Sequence, residues 1–298
     1  MTDTRDRSAA DDGQAVAAAV QGKTRFDDIY DRPDPTEYFR TLARLEYQTP
    51  HHAQRVFERL IAARAAAAAE RPVTVLDVCC SYGINAALLN HDLTLADLYA
   101  RYTDAHILGE GPEQLAEKDR VFYEECRHGV TTRVIGLDSA PNAVAYARGA
   151  GLLDAAFGQD LERAEPGPEL AAALRPVQLI TVTGGIGYIT DRTLERILSH
   201  VDGPVWVAAF VLRTVPYRYV ADALERFGLH TQKATSRTFP QRRFSGADEQ
   251  RSAIEAVRAT GASPEGKETA GYYHCDFYLS RPAEHLSLFA VDDLLSVS

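Results

Sequence analysis

The sequence is poor in cysteine. Cys79, Cys80, Cys126 and Cys275 are the four in 298 residues. They are too few and too irregularly spaced for a disulfide framework, and no Cys-x-x-Cys pair exists to hold zinc. A reduced, cytoplasmic setting is therefore expected. Long apolar runs are missing as well: no stretch approaches the ~20 apolar residues of a membrane span, and the polar opening MTDTRDRSAADDGQ has no apolar signal core. A soluble intracellular protein with no membrane partner is expected. Nor is there a basic excess. With 42 acidic against 32 basic side chains, the net charge is -10 and the pI about 5.4, which argues against a general grip on nucleic acid. No internal repeat occurs, and the only low-complexity stretch is the alanine run at 65–69.

What remains is an ordinary globular composition, 45% hydrophobic and 25% charged, long enough to bury a sizeable core in one large domain or two. The stretch VTVLDVCCSYGINAALL, Val73 to Leu89, organises the rest. It reads as an apolar strand from Val73 to Val78, a turn of small residues, and a helix from about Gly83 with Ile84, Ala87 and Leu88 on one face. In a doubly wound α/β protein the polar end of a ligand sits where such a turn meets the helix, because free N–H groups and the helix dipole point at it. Asp77 closes the strand. Cys79, Ser81 and Gly83 take the alternate positions where backbone and ligand approach closely.

This pattern resembles motif I of the class I S-adenosyl-L-methionine (SAM)-dependent methyltransferases, an acidic residue followed by alternating glycines. Here Cys79 and Ser81 replace two of the glycines. A second match is GLDSAPNAVAYARGAGL, residues 136 to 152, a strand ending in an acid followed by a helix with Pro141 near its start. The resemblance implies that Asp138 accepts both ribose hydroxyls of SAM, with Ser139 and Asn142 beside it. AAFGQDL, 155 to 161, has the shape of the third motif, which implies that Asp160 and the Leu161 backbone hold the adenine. VQLITVT, 177 to 183, is the fourth strand. Its end, Thr183 and Gly184, implies the position facing the sulfonium, with Tyr188 following. Gln178 stands where the family often has an acid, so no carboxylate base is evident.

The implied fold class is α/β, a doubly wound seven-stranded mixed sheet with an N-terminal helical lid. Residues 1–22 read as a disordered tail, 23–71 as the lid, 72–283 as the SAM-binding domain with a helical insertion at about 92–130, and 284–298 as a C-terminal tail. The lid is dense in aromatics, of which Tyr30, Tyr38 and Tyr47 are the candidates to touch substrate; the alternative is that these rings merely cover a sheet edge. VWVAAFVL, 205 to 212, is a central strand. Arg213 at its end, together with Arg242 and Arg243, is placed to clamp a carboxylate or phosphate, or else to sit in surface ion pairs. His51, His52, His274 and Tyr188 are candidate bases or orienting groups. The near-miss GASPEGKE, 261 to 268, has P-loop spacing but ends in Glu268 where a hydroxyl is required, and is rejected.

SAM carries its own activation, so the protein has mainly to bind it, align a nucleophile and shed water. Methyl transfer to a small-molecule acceptor is the expected activity, and a homodimer is left open. The alternative in another reaction class is intramolecular cyclisation of SAM to azetidine-2-carboxylate with release of methylthioadenosine. A third reading is a module that holds SAM without turnover.

Overall fold

A computed structural model describes residues 27–67, 72–107, 109–129 and 131–296; the expected tail of residues 1–22 lies outside them. Eight strands form one sheet: β1 Thr74–Val78, β2 Arg133–Asp138, β3 Ala155–Gly158, β4 Leu179–Thr183, β5 Trp206–Leu212, β6 Leu229–Lys233, β7 Phe239–Arg243 and β8 Tyr272–Pro282. The main path runs β3-β2-β1-β4-β5-β8-β6. Strands β1 to β5 pair in parallel, and β8 runs antiparallel to β5. Continuous apolar runs explain the centre. Every residue of β1 and β5 is buried, as a sheet covered on both faces demands.

The helices cover both faces. Ahead of the sheet come α1 Asp27–Tyr30, α2 Thr36–Arg44 and α3 Thr49–Ala67. Then follow α4 Ile84–Asn90, α5 Leu95–Thr103, α6 Pro112–Glu125, α7 Pro141–Gly149, α8 Pro168–Leu174, α9 Asp191–Leu198, α10 Arg218–Glu225 and α11 Ala247–Ala259. α3 packs along α4, with Gln54 Nε2 donating to Leu88 O at 3.0 Å, and buries Ala53, Val56, Phe57 and Leu60 in the larger core, to which Leu194 and Ile197 of α9 and Leu224 of α10 also belong. In a second cluster Ile29, Tyr38, Phe39 and Leu42 join α4 to α7. The long interval after α4 holds α5 and α6. Thr94 starts α5 with a capping box to Asp97, which satisfies two orphan donors.

The insertion is fastened by one buried carboxylate. Asp119 of α6 is fully buried and accepts from Arg101 Nε at 2.7 Å, from the Tyr102 hydroxyl at 3.0 Å and from the Tyr146 hydroxyl of α7. Phe39 of the lid stacks on Tyr102, with ring centroids 4.5 Å apart. The lid, the insertion and the sheet-flanking α7 therefore share one aromatic core.

Seven strands were expected and eight are present. The addition is β7, which pairs with β8 off the main path. Its sequence, FPQRR, contains a proline that lacks a ladder donor and is tolerated only at an edge. The outer edge of β8 is shared: β6 pairs with residues 278–282 and β7 with residues 272–275. Between them Thr235 and Ser236 donate their N–H groups to Asp292, both at 2.9 Å. Asp292 belongs to the C-terminal segment, which is ordered through Ser296, with Val291, Leu294 and Leu295 buried. Arg59 of α3 holds it by donating to the carbonyls of Leu294 and Ser296, each at 2.7 Å.

Candidate functional site

The chain leaves β1 for β2 and β3 on one side, then returns to β4 and β5 on the other. A crevice opens outside the carboxyl ends of the strands at such a switch point. There the protein has a cavity of about 560 Å³. Four strand ends wall it: 78–81 after β1, 137–140 after β2, 159–163 after β3 and 183–185 after β4. The fifth wall is the N-terminal segment, through Tyr30, Tyr38, Leu42 and Tyr47.

The turn after β1 is left-handed at alternate residues: Cys79 has φ 59°, Ser81 φ 49° and Gly83 φ 76°. For a residue with a side chain this costs about 1–2 kcal/mol, so two such residues persist only where the surroundings dictate the backbone. Cys79 N–H donates to Leu137 O at 2.8 Å, and Ser81 N–H donates to Asp138 Oδ2 at 2.8 Å. A Cβ on Gly83 would be a tight 3.1 Å from Ala147 Cβ, and its left-handed φ disfavours a side chain as well. Gly83 packs against α7 and does not line the cavity.

Asp138 sits between that turn and α7. Its other oxygen accepts from Ala140 N–H at 3.0 Å. Burial pushes its carboxyl up, against the backbone bonds from Ser81, Ala140 and Ser139. Ser139 lines the cavity, and Asn142 lies just outside it. Asn142 N–H donates to Asp31 Oδ1 at 2.7 Å, and its side chain donates to Asp31 O at 3.2 Å. Asn142 thus tethers the lid. Tyr82 does the same, donating to Ile29 O at 3.0 Å and accepting from Arg32 N–H at 2.8 Å.

Asp77 is 1% exposed and lies beneath the cavity wall. Burial raises its carboxyl to about 6, opposed by bonds from Thr181 and Asn85. The Asn85 amide nitrogen bridges Asp77 Oδ1 at 3.0 Å and Thr183 Oγ1 at 3.1 Å, so Asn85 and Thr183 carry the influence of Asp77 to the cavity surface. Past β3, Asp160, Leu161 and Glu162 line the wall. Asp160 Oδ1 accepts from Glu162 N–H at 2.9 Å and closes the turn. Although burial raises the Glu162 carboxyl, bonds from Thr190 and Thr193 outweigh it and hold the group below its usual range.

Of the residues expected from sequence, the cavity brings together Cys79, Ser81, Asp138, Ser139, Asp160, Leu161, Thr183, Gly184, Tyr188, Tyr30, Tyr38 and Tyr47. Others stand elsewhere. His51 is exposed on α3. His274 is on β8, paired with Pro240 of β7 and outside the cavity lining, with Nδ1 3.0 Å from Thr238 Oγ1, and burial lowers it to about 4. Arg213 is buried against Glu268 at 2.6 Å and donates to Ser263 O at 2.7 Å, so the residue that breaks the P-loop spacing is its counter-ion. Arg243 pairs with Glu46 at 2.7 Å. Neither arginine lines the cavity. Gln178 lies at the opposite end of the sheet, its Oε1 accepting from Thr74 N–H at 3.3 Å.

Arg242, one of the three arginines marked as a possible clamp, also lines the cavity, as do Asp31, Asn85, Glu162 and Gln241, which were not marked by sequence. Asn85 was the nearest to legible: it falls one helical step inside α4, on the side facing the motif I turn. Gln241 reaches the cavity from β7, whose backbone is stitched to the lid by Gln48 N–H donating to Gln241 O at 2.8 Å and Arg243 N–H donating to Leu45 O at 2.7 Å. Among the described residues no cluster of His, Cys, Asp or Glu has metal-binding geometry, and no helix is long and apolar enough to cross a membrane.

No protein-family model matches the chain, and no curated protein matches it. Among solved structures it is similar to the plantazolicin methyltransferase BpumL in complex with SAH, at 10% identity over 93% of this chain and 98% of that one, with a TM-score of 0.45. It is similar to the plantazolicin methyltransferase BamL in complex with a triazolic desmethylPZN analog and SAH, at 12% identity over 90% and 97% of the two chains, TM-score 0.45. A third similar structure is magnesium protoporphyrin IX methyltransferase (ChlM) from Synechocystis PCC 6803 with bound SAM, at 13% identity over 77% and 80%, TM-score 0.37.

Proposed function

We propose that the protein is a SAM-dependent methyltransferase acting on a small molecule held between the strand ends and the lid. One observation carries the reading: the left-handed alternation at Cys79, Ser81 and Gly83, with Ser81 N–H on the Asp138 carboxylate, at the switch point of a doubly wound sheet. The residues present fit SAM. Ser81 Oγ is buried in the turn without a partner among the described residues, and an unsatisfied buried hydroxyl calls for a polar ligand.

In this reading Asp138 holds the ribose hydroxyls, Asp160 and Leu161 hold the adenine, and the 79–81 turn with Asn85, Thr183 and Gly184 holds the amino-acid end. The donor supplies an activated methyl group. The chain supplies alignment, and the lid rings exclude water from the reacting end, which strengthens every electrostatic contact there. Cytoplasmic localisation is part of the same proposal.

The test is mass spectrometry of purified protein incubated with SAM alone and then with candidate acceptors. SAM bound and intact alone, with S-adenosylhomocysteine (SAH) appearing only when an acceptor is added, is the expected result. Methylthioadenosine formed without an acceptor overturns the methyl-transfer reading.

A further inference from the structure

The acceptor side of the cavity is unlike the donor side. It is walled by Tyr30, Tyr38, Tyr47, Tyr188 and the amide of Gln241. Resting on the SAM reading of the donor side, we propose that the acceptor is a planar, uncharged nitrogen base with a free lone pair for the methyl group and an N–H that donates to Gln241 Oε1.

Charge excludes the anionic alternatives. Arg242 is the cation on this wall, and it is committed: it donates to both Glu249 oxygens at 2.8 and 3.1 Å, and its guanidinium lies over Tyr273. Arg213 and Arg243 are paired elsewhere. Arg163 reaches the cavity from the donor side, 3.3 Å from Asp160. A carboxylate or phosphate acceptor would enter a cavity that also holds Asp31, Asp138, Asp160 and Glu162 and whose two guanidinium groups are already paired with Asp160 and Glu249, and an unpaired charge is costly to desolvate.

The supply of bases excludes hydroxyl acceptors. No imidazole lines the cavity. Burial pushes the hydroxyls of Tyr38 and Tyr47 well up, so both stay protonated at neutral pH. Of the cavity carboxylates, Asp31 and Glu162 are bonded to Asn142 and to Thr190 and Thr193, and Asp138 and Asp160 serve the donor. A phenol or alcohol needs its proton removed as the O–C bond forms, whereas a nitrogen lone pair attacks as it stands.

Gln241 supplies the positive signal. It is 3% exposed, and its Oε1 has no hydrogen-bond partner among the described residues. Its Nε2 would stand 3.1 Å from a Cβ on Gly184, so the amide lies over the turn that ends β4. A buried carbonyl left unpaired costs about 1–3 kcal/mol, and a ligand N–H recovers that. In the reaction the nitrogen lone pair attacks the methyl carbon, the C–S bond breaks with its electron pair returning to sulfur, and the resulting cation gives its N–H proton to bulk water once the product has left the cavity.

Benzimidazole, phenol and benzoate are suitable probes, all planar and of similar size. Calorimetry first establishes SAH binding to the wild-type chain; failure there sinks the methyltransferase reading itself. With SAH bound, benzimidazole should bind about tenfold or more tightly than phenol or benzoate, and with SAM it should yield N-methylbenzimidazole. Gln241→Leu should weaken benzimidazole about tenfold while leaving SAH affinity within about twofold, and Gln241→Glu, which keeps an accepting oxygen, should restore binding. Tighter binding of phenol or benzoate, no binding of benzimidazole to the SAH complex, or an unchanged benzimidazole affinity in Gln241→Leu alongside intact SAH binding each overturns the proposal.

Discussion

Cys79 Sγ lies 2.6 Å from the point where a side chain on Gly185 would begin. The thiol at a motif I glycine position therefore fills the space that the turn after β4 leaves vacant, and each residue type explains the other. Gly185→Ala alone should destabilise the fold by about 1–3 kcal/mol through overpacking. In a Cys79→Gly background the same change should cost much less, giving a coupling of about 0.5–3 kcal/mol in a double-mutant cycle. Urea unfolding of the four variants measures it, and additive effects would show that the two turns are independent.

Replacing Asp138 by Ala removes an acceptor shared by Ser81 and Ala140 N–H groups as well as the proposed ribose contact. SAM affinity should fall by about 1–3 kcal/mol. An unchanged dissociation constant by calorimetry would remove Asp138 from the cofactor site.

The pH dependence of stability should carry the mark of Asp77. Its carboxyl titrates near 4 when unfolded and at about 6 when folded, because burial disfavours the charge. Between those values the folded state binds more protons, so this group's contribution to stability falls as pH rises from about 4 to 6, by up to about 3 kcal/mol. Asp77→Asn should flatten the slope in that window. Denaturant midpoints across the range decide the matter, and an identical slope in the variant would locate the dependence elsewhere.

Asp119 should dominate the stability of the insertion. Asp119→Ala leaves Arg101 without its partner and the Tyr102 and Tyr146 hydroxyls without their acceptor, and should cost about 3–5 kcal/mol. Asp119→Asn, which keeps one accepting oxygen, should cost less. Chemical denaturation compares them, and equal losses would mean that the charge does not matter.

The centre of the parallel half is legible in the sequence because burial on both faces makes β1, β4 and β5 largely apolar, and because small or acidic residues stand at the carboxyl ends of β1, β2 and β4. Asp138 and Ser81 announce themselves in that way. Gln241 does not: FPQRR has neither alternation nor β-branched residues, and only pairing with β8 makes it a strand. Arg213 follows a strand end just as Asp138 does, yet Glu268, 55 residues further along, takes it out of the cavity. Local order along the chain shows which residues lie at the mouth of the sheet. It does not show which of them a distant counter-ion has already claimed.

The broken outer edge along β8 divides the labour of the site. In the proposed reading the donor would be gripped by loops rooted in parallel strands whose register is locked by buried side chains. In the same reading the acceptor would be met by Gln241 of a short border strand and by the aromatic segment bonded to it, while Phe239 of that strand packs on Phe210 in the core. On that reading, exchanging Gln241 together with the aromatic segment stitched to its strand would alter what the protein accepts, whereas Phe239 and Arg242 of the same strand must stay, since one packs on Phe210 and the other pairs with Glu249. On that reading, substrate range would be a property of the molecule's margin.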